Sequence, residues 1–594
     1  MPPKRRADEE TSAAGGAAPA ANKRVAAAPG AGAGPSSATS AAAVRSGAPA
    51  GTRTGVMRAA PKPGVRKVGA ATAQARAKAA VPGAGVVSMG MKKEPPKPAV
   101  VTRNVLMWFR TDLRLKDNHA LHAASVRSKV GNRNLIALFI VSEKEWEQHD
   151  EAPIKIDFWM RNLAKLKESL DKLAIPLVIK RAETPESVTS IVEGVVKDMD
   201  ISHVFWNAEL MVDERRRDRR VKRALLALPN TVVEECDDQC VIPPKEIATK
   251  TGNPYSVFTP FRNTWSTMVE TNPHFLELSD EPTANPDEAK KLYADIFASS
   301  APNSHPHNLD AELMEELYPA GEETAHLRLK DFLAEKAKQY HETRDFPYEN
   351  GCSSLSPYLS AGVLSTRQCI AAARAANNNK IMVGNDGLRT WIKELIWREF
   401  YRNILVHFPR VCMNKPFQPI TEHIRWTADQ RRFQMWSQGK TGYPIVDAGM
   451  RQLNTIGYMH NRVRMIVACF LVKDLFVNWQ KGEKYFMNNL IDGDLASNNG
   501  GWQWCASTGT DAQPYFRIFN PVLQSQRFDP NGDYIRKWVP ELKHLNEKQI
   551  HDPYHTLSAK DFAKLGYSKP IVDHADSKKK FQDEFKRIIA EHST

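Results

Sequence analysis

The stretch Asp492–Pro521 reads DGDLASNNGGWQWCASTGTDAQPYFRIFNP and decides how the chain is interpreted. It places two carboxylates around one glycine, amide side chains around a glycine pair, and two tryptophans on either side of a single glutamine. Polar and aromatic groups crowded in this way cannot all be buried against plain hydrocarbon. The stretch therefore predicts a pocket for a large flat ligand with polar edges.

The first hundred residues have a different composition from the rest. Residues 1–98 contain no Leu, Ile, Phe, Trp or Tyr, so they cannot bury enough apolar surface to offset the chain entropy lost on folding. Residues 1–100 carry 16 basic and 4 acidic side chains, a net charge of +12, and the whole chain carries +14. The sequence predicts a disordered basic tail over residues 1–100 and a body that is nearly neutral.

Composition also bears on the cellular compartment. No apolar run approaches the roughly 20 residues that cross a bilayer, and the amino terminus lacks the apolar core of a secretory signal. Seven scattered cysteines fit a reducing compartment, and Cys236 and Cys240 have no second ligand pair, so no metal site is expected. The basic run Pro3–Arg6 predicts a nuclear address, although a merely solvated tail has similar composition. A mitochondrial address is disfavoured by acidic residues 8–10.

Short apolar runs alternate with helical patterns between residues 104 and 236. Strands that alternate with helices pair in parallel through right-handed crossovers, so this part predicts a Rossmann-like α/β domain over residues 101–236. Helices are predicted at Ile156–Leu173 and Val212–Leu226. The predicted strands are Val105–Phe109, Leu135–Val141, Pro176–Ile179, His203–Trp206 and Thr231–Val233.

The remaining chain divides into a linker and a helical part. Residues 237–308 are rich in Pro, Asn and Asp and predict a long interdomain linker on the surface. Residues 309–594 show a helical period and predict an all-α domain, with Leu388–Phe408 and Arg462–Trp479 as central helices. The turn after Phe109 reads RTDLRLKDN and lacks the glycines of an ordinary dinucleotide site. The ligand of the sheet is therefore expected to differ from a dinucleotide or to bind at an edge of the sheet.

Five motifs occur in order along the body: WFRTDLRLKDN at 108–118, FTPFRNTW at 258–265, WIKELIWREFYR at 391–402, GKTGYPIVDAGMRQL at 439–453 and MHNRVRM at 459–465. With the stretch quoted above, they resemble the photolyase/cryptochrome family in its class I form, which acts on cyclobutane pyrimidine dimers. The resemblance spans about residues 104–571. It implies a helical FAD-binding catalytic domain, one reduced FAD per chain, and UV-damaged DNA as the partner.

Helical spacing places Glu394, Trp397, Arg398 and Tyr401 on one face, which by itself fits either a surface stripe or a cleft wall. The resemblance favours the cleft, with Trp397 stacking on the dimer and Glu394 bonding its base edge. It implies the catalytic set Glu394, Trp397, Asn461, Met465 and Trp504, and the DNA contacts Arg344, Trp397, Arg462, Met465, Trp504 and Arg517. Family members that repair (6-4) photoproducts carry two histidines where this chain has Asn461 and Met465.

The resemblance also implies the flavin contacts. Arg464 and Asp492 are expected to pair, because burying either charge alone would be costly, and Asn498 is expected opposite flavin N5. Cys352 stands where the family usually has Thr, which removes a hydroxyl from the phosphate loop. The implied FAD residues are Tyr340, Cys352, Ser353, Ser354, Leu355, Ser356, Trp391, Glu394, Arg398, Asn461, Arg464, Asp492, Asp494 and Asn498.

Two further groups follow from the resemblance alone. Trp426, Trp479 and Trp502 occupy its electron-transfer chain from the surface to the flavin. His149, Asp213, Glu214 and Cys412 match the site of a 5,10-methenyltetrahydrofolate antenna, although Asp213 replaces a frequent Asn and Met413 replaces a Lys. A deazaflavin is the alternative antenna.

The resemblance thus predicts light-driven repair of cyclobutane pyrimidine dimers by a monomer in the nucleus, with the mitochondrion as a further location. A blue-light photoreceptor cryptochrome, which signals without repair, is one alternative. Such members commonly carry a long carboxy-terminal extension, whereas little follows the family core here. A single-strand-specific cryptochrome relative, disfavoured by Trp397 and Met465 together, is the other.

Overall fold

The computed structural model describes residues 104–131 and 133–592, which belong to one compact unit, Pro95–Thr594. The predicted disordered tail and its basic run lie outside the described residues. Within them, no helix has both the length and the apolar character needed to cross a membrane. The same residues contain no group of three or more His, Cys, Asp or Glu side chains placed to hold a metal ion.

The amino-terminal part of the described chain is built on a parallel sheet. Its strands are β1 (Asn104–Phe109), β2 (Leu135–Val141), β3 (Leu177–Arg181), β4 (Ile201–Asn207) and β5 (Val232–Cys236), in the order β3-β2-β1-β4-β5. The chain runs outward on one side of β1 and then on the other, so the order reverses between β1 and β4. Ligands of such sheets bind outside the carboxyl ends of the strands at this reversal. The predicted Rossmann-like architecture is confirmed.

Helices cover both faces of this sheet. The third one begins at Pro153, where a fixed φ suits a first helical position, and buries Phe158, Leu163 and Leu170. The helices of this part are α1 (His119–Lys129), α2 (Glu143–Gln148), α3 (Pro153–Lys172), α4 (Ser187–Asp198) and α5 (Val212–Leu226).

The segment predicted as a surface linker contains more structure than expected. Helix α6 (Phe258–Thr271) lies within it, followed by the short helices α7 (Glu288–Leu292) and α8 (Ala294–Ala298) and a 3₁₀ turn at Pro273–Leu276. Phe261 and Trp265 are fully buried, and the Trp265 indole donates a 2.6 Å hydrogen bond to Glu399. The apolar residues of α6 recur at helical spacing, which outweighs the Pro- and Asn-rich composition around them.

The rest of the chain is helical, as predicted. Its α-helices are α9 (Ala311–Leu317), α10 (Glu322–Asp331), α11 (Tyr340–Thr343), α12 (Ser356–Ser360), α13 (Thr366–Ala376), α14 (Asp386–His407), α15 (Pro409–Cys412), α16 (Gln430–Ser437), α17 (Pro444–Ile456), α18 (Asn461–Cys469), α19 (Trp479–Met487), α20 (Leu495–Ala506), α21 (Pro521–Phe528), α22 (Asp533–Trp538), α23 (Pro553–Thr556), α24 (Ala559–Lys564) and α25 (His574–His592). The 3₁₀ turns are Ala337–Gln339, Pro419–His423 and Pro540–Leu542, and π turns occur at Phe332–Lys336 and Phe470–Asp474.

The predicted central helix Arg462–Trp479 is wrong in its second half. Helix α18 ends at Cys469, a π turn follows at Phe470–Asp474, and Phe476 has a φ of 58°, which a continuous helix cannot contain. Trp479 instead begins α19, whose first turn is capped by the Asn478 side chain at 3.0 Å from the Gln480 nitrogen.

Two apolar cores position the site. The first joins one face of the sheet to α14, and it includes Phe139, Phe158, Trp391 and Phe400. The second lies among α17–α20 and α25 and includes Trp436, Val467 and Trp502. Helix α20 contributes to both cores, and the polar pockets described below lie beside it.

Candidate functional site

Helix α14 carries the predicted cleft wall. Trp397 is only partly buried, and its indole stacks on the Phe258 ring with the centroids 3.5 Å apart and the planes 7° from parallel. One turn earlier, Glu394 accepts a hydrogen bond from the Arg344 guanidinium. The structure therefore brings together the predicted base-edge carboxylate, a predicted phosphate-contacting arginine and the predicted stacking tryptophan. Sequence reasoning missed Phe258, whose motif had suggested only a linker.

The start of α18 carries the next predicted site residues. The His460 ring caps this helix by accepting from the Arg462 backbone at 3.2 Å, and Asn461 follows as an exposed side chain. The amide nitrogen of Asn461 lies 4.0 Å from the Met465 sulfur, so the two side chains share one face as predicted. Arg462 pairs with Asp345 at 2.9 Å and lies 4.3 Å above the Phe528 ring.

A cavity opens between α18 and α20. Its polar wall holds the predicted pair: Arg464 donates to both oxygens of Asp492 at 3.0 and 2.9 Å, and to the Met459 carbonyl at 2.7 Å. This pairing confirms the sequence-based expectation. The lining residues are Asn461, Arg464, Met465, Ala468, Phe486, Leu490, Asp492, Gly493, Asp494, Ser497, Asn498, Gly501, Trp502 and Cys505.

The far end of this cavity is fixed by α20. Asp494 caps the helix by accepting from the Ser497 nitrogen at 2.9 Å, and it pairs with Arg402 at 3.1 Å and Arg398 at 3.8 Å. Burial raises the pKa of Asp494, but Arg402 and Arg398 outweigh it and hold that pKa well below its ordinary range. Arg402 was not predicted as a site residue, although it closes the WREFYR motif.

The cavity suits a flat ring with polar edges. A Cβ placed on Gly501 would meet nothing within 4 Å, so the wall is open there, whereas one placed on Gly500 would lie 2.2 Å from the Tyr401 ring. Asn498 donates through its amide nitrogen to the Glu483 carbonyl at 3.0 Å. The indole nitrogen of the buried Trp502 has no partner among the described residues. These groups fit an isoalloxazine with its ring nitrogens and carbonyls.

The predicted phosphate loop precedes α12. Ser354 adopts a left-handed φ of 52°, and the Cys352 sulfur lies 3.4 Å from the His460 ring nitrogen. Buried Tyr340 lies under the Arg344 guanidinium at 5.4 Å. Helix α12 begins at Ser356 as expected, but it has only five residues, so a long helix dipole does not support an anion there.

Of the three predicted electron-transfer tryptophans, two are buried and one reaches the surface. Trp479 and Trp502 lie in the second core, while Trp426 packs against it from outside, 5.5 Å from the Phe476 ring. Trp436, which was not predicted, lies edge-on to Trp502 at 6.0 Å. The second stacking residue, Trp504, is partly buried and 6.4 Å from Phe519.

A second cavity, of about 330 Å³, lies between α5 and the helical part, and all four predicted antenna residues line it. His149 lies 3.4 Å from Glu214 and 3.9 Å from Asp213, and the Cys412 sulfur accepts from the Val212 backbone at 3.4 Å. One oxygen of Glu214 is buried without a partner among the described residues. Burial raises the pKa of Glu214 to about 7.

The parallel α/β part, the helical part, the aromatic and charged cluster on α14 and the polar cavity between α18 and α20 are those of the photolyase/cryptochrome class. Two family models match: "DNA photolyase" over residues 105–285 and "FAD binding domain of DNA photolyase" over residues 391–587. The chain is 43% identical over 511 residues to a deoxyribodipyrimidine photo-lyase of Neurospora crassa, covering 83% of each chain. It is 41% identical over 473 residues to one of Escherichia coli, covering 80% of this chain and 96% of the relative. The chain belongs to the DNA photolyase family.

Solved structures agree. A class III photolyase from Agrobacterium tumefaciens superposes with a TM-score of 0.69 at 33% identity, over 83% of this chain and 99% of the other. A Synechocystis cryptochrome superposes with a TM-score of 0.68 at 28% identity, over 81% of this chain and 98% of the other. The family resemblance and the fold predicted from sequence are confirmed, and FAD is the cofactor of the helical part.

Proposed function

We propose that this chain is a deoxyribodipyrimidine photo-lyase, which repairs cyclobutane pyrimidine dimers in DNA with light. The observation that carries this proposal is the grouping of Trp397, Glu394 and Arg344 around α14, together with a cavity whose wall holds the Arg464–Asp492 pair. Reduced FAD supplies, when bound and excited by light, the electron that opens the cyclobutane ring. The relatives named above carry the same enzyme name.

Different residues are proposed to contact the bases and the backbone of the damaged strand. Trp397 and Trp504 offer ring faces on which an extruded dimer stacks, and extrusion is cheap because a dimer pairs weakly. Arg344, Arg462 and the exposed Arg517 hold backbone phosphates without reading sequence. A phosphate on Arg344 competes with Glu394 for the guanidinium, which leaves the carboxyl free to bond the base edge.

An anaerobic assay tests the function directly. Chemically reduced protein is mixed with an oligonucleotide that contains one thymine dimer, and restored thymines are counted in blue light and in darkness. We expect repair in the light only. Lesion binding without repair in either condition supports a photoreceptor cryptochrome instead.

The four residues of the second cavity are proposed to hold a 5,10-methenyltetrahydrofolate antenna. The unpartnered oxygen of Glu214 can accept from the amino and ring NH groups of a pterin. A carboxyl group also suits the cationic methenyl bridge, and Glu483 lines the cavity too. A deazaflavin has no such positive charge.

Antenna affinity is predicted to depend on pH through Glu214. Burial raises its pKa to about 7, opposed by His149 and Arg217 and reinforced by Glu209, so below pH 7 its carboxyl is protonated and must lose the proton to accept two bonds. We expect affinity to be flat above pH 7 and to fall about tenfold per pH unit below it. Folate titrations monitored by antenna absorbance measure this.

The matched variants are Glu214→Gln and Glu209→Gln. Glu214→Gln should bind the folate weakly at every pH, and its affinity should no longer fall as the pH is lowered. The second should keep the slope, since the Arg217 and Arg110 guanidinium groups outweigh burial and hold the pKa of Glu209 at about 2. A Glu214→Gln variant with unchanged affinity, or a deazaflavin recovered from the protein, contradicts the folate assignment.

The tryptophan chain is proposed to serve flavin reduction and not repair. Trp426 is the partly exposed member, so Trp426→Phe is expected to slow photoreduction of the oxidised protein by at least about tenfold. Chemically reduced variant should repair dimers at the normal rate. Flavin absorbance under illumination and dimer repair are measured on the same sample, with Phe433→Leu at the edge of the same core as the control.

Location and assembly are proposed from composition. Residues 1–100 carry most of the net positive charge, +12 of +14, and the run Pro3–Arg6 is proposed as a nuclear address, with some protein in mitochondria. Deleting residues 1–98 should leave repair per bound flavin unchanged while moving the protein out of the nucleus and weakening salt-sensitive binding to undamaged DNA. Loss of flavin on truncation contradicts this. The enzyme is proposed to act as a monomer, which sedimentation tests.

A further inference from the structure

Helix α5 presents a strongly basic surface to solvent. Its sequence, VDERRRDRRVKRALL, holds six arginines and one lysine among 15 residues. The chain after residue 100 is nearly neutral overall, so this charge is concentrated locally. Four of the arginines are exposed and line neither cavity described above, and we call them the arginine face: Arg215, Arg219, Arg220 and Arg223.

The arginine face is not neutralised by carboxylates of the protein. Each acidic residue of α5 is engaged elsewhere: Asp213 with Arg216 at 3.0 Å, Asp218 with the buried Arg217 at 2.9 Å, and Glu214 at the second cavity. Among the described residues, the four guanidinium groups form no ion pair, and Arg219 donates only to the Arg215 carbonyl, at 3.0 Å. Their charge is therefore available to a partner.

Helical spacing places these arginines next to one another. Arg215 and Arg219 are four residues apart, and so are Arg219 and Arg223. Residues at this spacing are neighbours on a helix surface, where like charges destabilise the helix. A face that only had to be solvated would be more stable with a carboxylate at one of these positions. The row instead runs for about 12 Å along the axis, from Arg215 to Arg223, without one.

The surroundings of the row distinguish between anionic partners. A helix that lies on a membrane needs an exposed apolar face, whereas Val221 and Leu225 are fully buried against the sheet and only Leu226, at the end of α5, is exposed. A protein interface is centred on aromatic and apolar side chains, and the exposed positions between these arginines hold none. Guanidinium groups alone suit phosphates, which they bind in a bidentate manner.

We propose that the arginine face of α5 is a second DNA-contacting surface, which binds backbone phosphates of duplex DNA without reading sequence. The proposal rests on the proposed function only in taking DNA as the partner, because the four arginines belong to the α/β part and not to the cluster on α14. One strand carries a phosphate about every 3.4 Å, so a row of about 12 Å can contact roughly three of them. The surface holds the enzyme on undamaged DNA while it searches for a lesion.

Salt titrations of the full-length holoprotein test this surface. Binding to a fluorescently labelled, undamaged duplex is measured by anisotropy at several salt concentrations. The slope of log affinity against log salt concentration reports the number of phosphates neutralised. The variant Arg215→Gln/Arg219→Gln/Arg220→Gln/Arg223→Gln should lose about 0.9 from this slope for each contact removed, or roughly 3 in total. Arg216 is kept because it lines the second cavity.

A matched control removes the same charge from lysines that already have carboxylate partners. Each of the four is more than half exposed: Lys144, Lys165, Lys564 and Lys586, all changed to Gln. This control should keep the slope of the parent. An unchanged slope in the arginine variant overturns the proposal. An equal drop in the lysine control also overturns it, because net charge alone would then explain the effect. Loss of binding to phosphatidylserine vesicles with unchanged DNA binding would assign the face to a lipid surface instead.

A measurement on the parent protein does not depend on how the variants fold. Undamaged duplex should protect the four arginines from phenylglyoxal, as read by peptide mapping, and full modification in the presence of DNA overturns the proposal. Dimer repair by the reduced arginine variant at saturating substrate should equal that of the parent. A parent that binds DNA through this face but does not repair dimers would contradict the proposed function and leave the surface in place.

Discussion

Replacing Asp492 by leucine is expected to abolish flavin retention and to lower the free energy of unfolding by roughly 3 kcal/mol. Arg464 donates to both carboxylate oxygens of Asp492, whose side chain is 4% exposed. The variant leaves a guanidinium at the cavity wall with only the Met459 carbonyl as a partner. Its uncompensated charge is expected to draw water into the cavity and to remove the contact that we propose for the polar edge of the flavin.

The expected loss is measured by the ratio of bound flavin to protein after desalting, and by urea unfolding of the flavin-free protein. Asp345→Leu is the matched control, because Asp345 also pairs with an arginine at 2.9 Å but is 35% exposed. An exposed pair contributes at most about 1 kcal/mol, so this variant should keep its flavin. Equal flavin occupancy in Asp492→Leu and the parent contradicts the assignment of this wall.

A double variant distinguishes the effect of the unpaired Arg464 charge from the effect of the changed side-chain shape. The double variant Asp492→Leu/Arg464→Met removes both charges, so it should recover most of the lost stability while still failing to hold flavin. If the double variant recovered both stability and flavin retention, apolar side chains at this wall would be sufficient for flavin binding.

Sequence patterns predicted the fold where one physical signal dominated. Leu135–Val141 is a continuous apolar run of strand length, and it forms β2 with those bounds. Val212–Leu226 has a helical period and forms α5 with those bounds. The Arg464–Asp492 pair was implied by the family resemblance together with the cost of burying either charge alone, and the structure contains it.

Long-range contacts could not be predicted in this way. The stacking of Phe258 on Trp397 joins residues far apart in sequence, and no local pattern encodes it. The π turn that follows α18 interrupts a segment that is largely apolar as far as Trp479, and no local pattern signals the φ of 58° at Phe476.

Illuminated enzyme is expected to restore thymines from a cyclobutane dimer and to leave a (6-4) photoproduct untouched. Repair of the (6-4) lesion needs a proton donated to it, and the resemblance implies two histidines four residues apart for that purpose. This chain has Asn461 and Met465 there, with the amide nitrogen 4.0 Å from the sulfur, and neither side chain is an acid near neutral pH. Splitting a cyclobutane dimer requires a stacking surface, a polarising contact and an electron. Trp397 fits the first requirement and Glu394 the second.

The neighbouring histidine cannot replace the missing acid. His460 is buried, and burial lowers its pKa to about 4, so the ring is neutral at physiological pH. One ring nitrogen accepts from the Arg462 backbone at 3.2 Å, and the other lies 3.4 Å from the Cys352 sulfur. Both nitrogens are thus engaged, one at the start of α18 and the other at Cys352 in the predicted phosphate loop.

The measurement compares the two lesions in identical oligonucleotides, with chemically reduced enzyme, blue light and chromatographic analysis of the products. General acid catalysis contributes about 10²–10⁴-fold, so we expect (6-4) repair to be at least a hundredfold slower than dimer repair. Asn461→His/Met465→His introduces the acid into this pocket and should lower dimer repair by removing the amide contact and the apolar surface of Met465. Efficient (6-4) repair by the parent chain would show that a proton donor outside Asn461, Met465 and His460 serves the lesion.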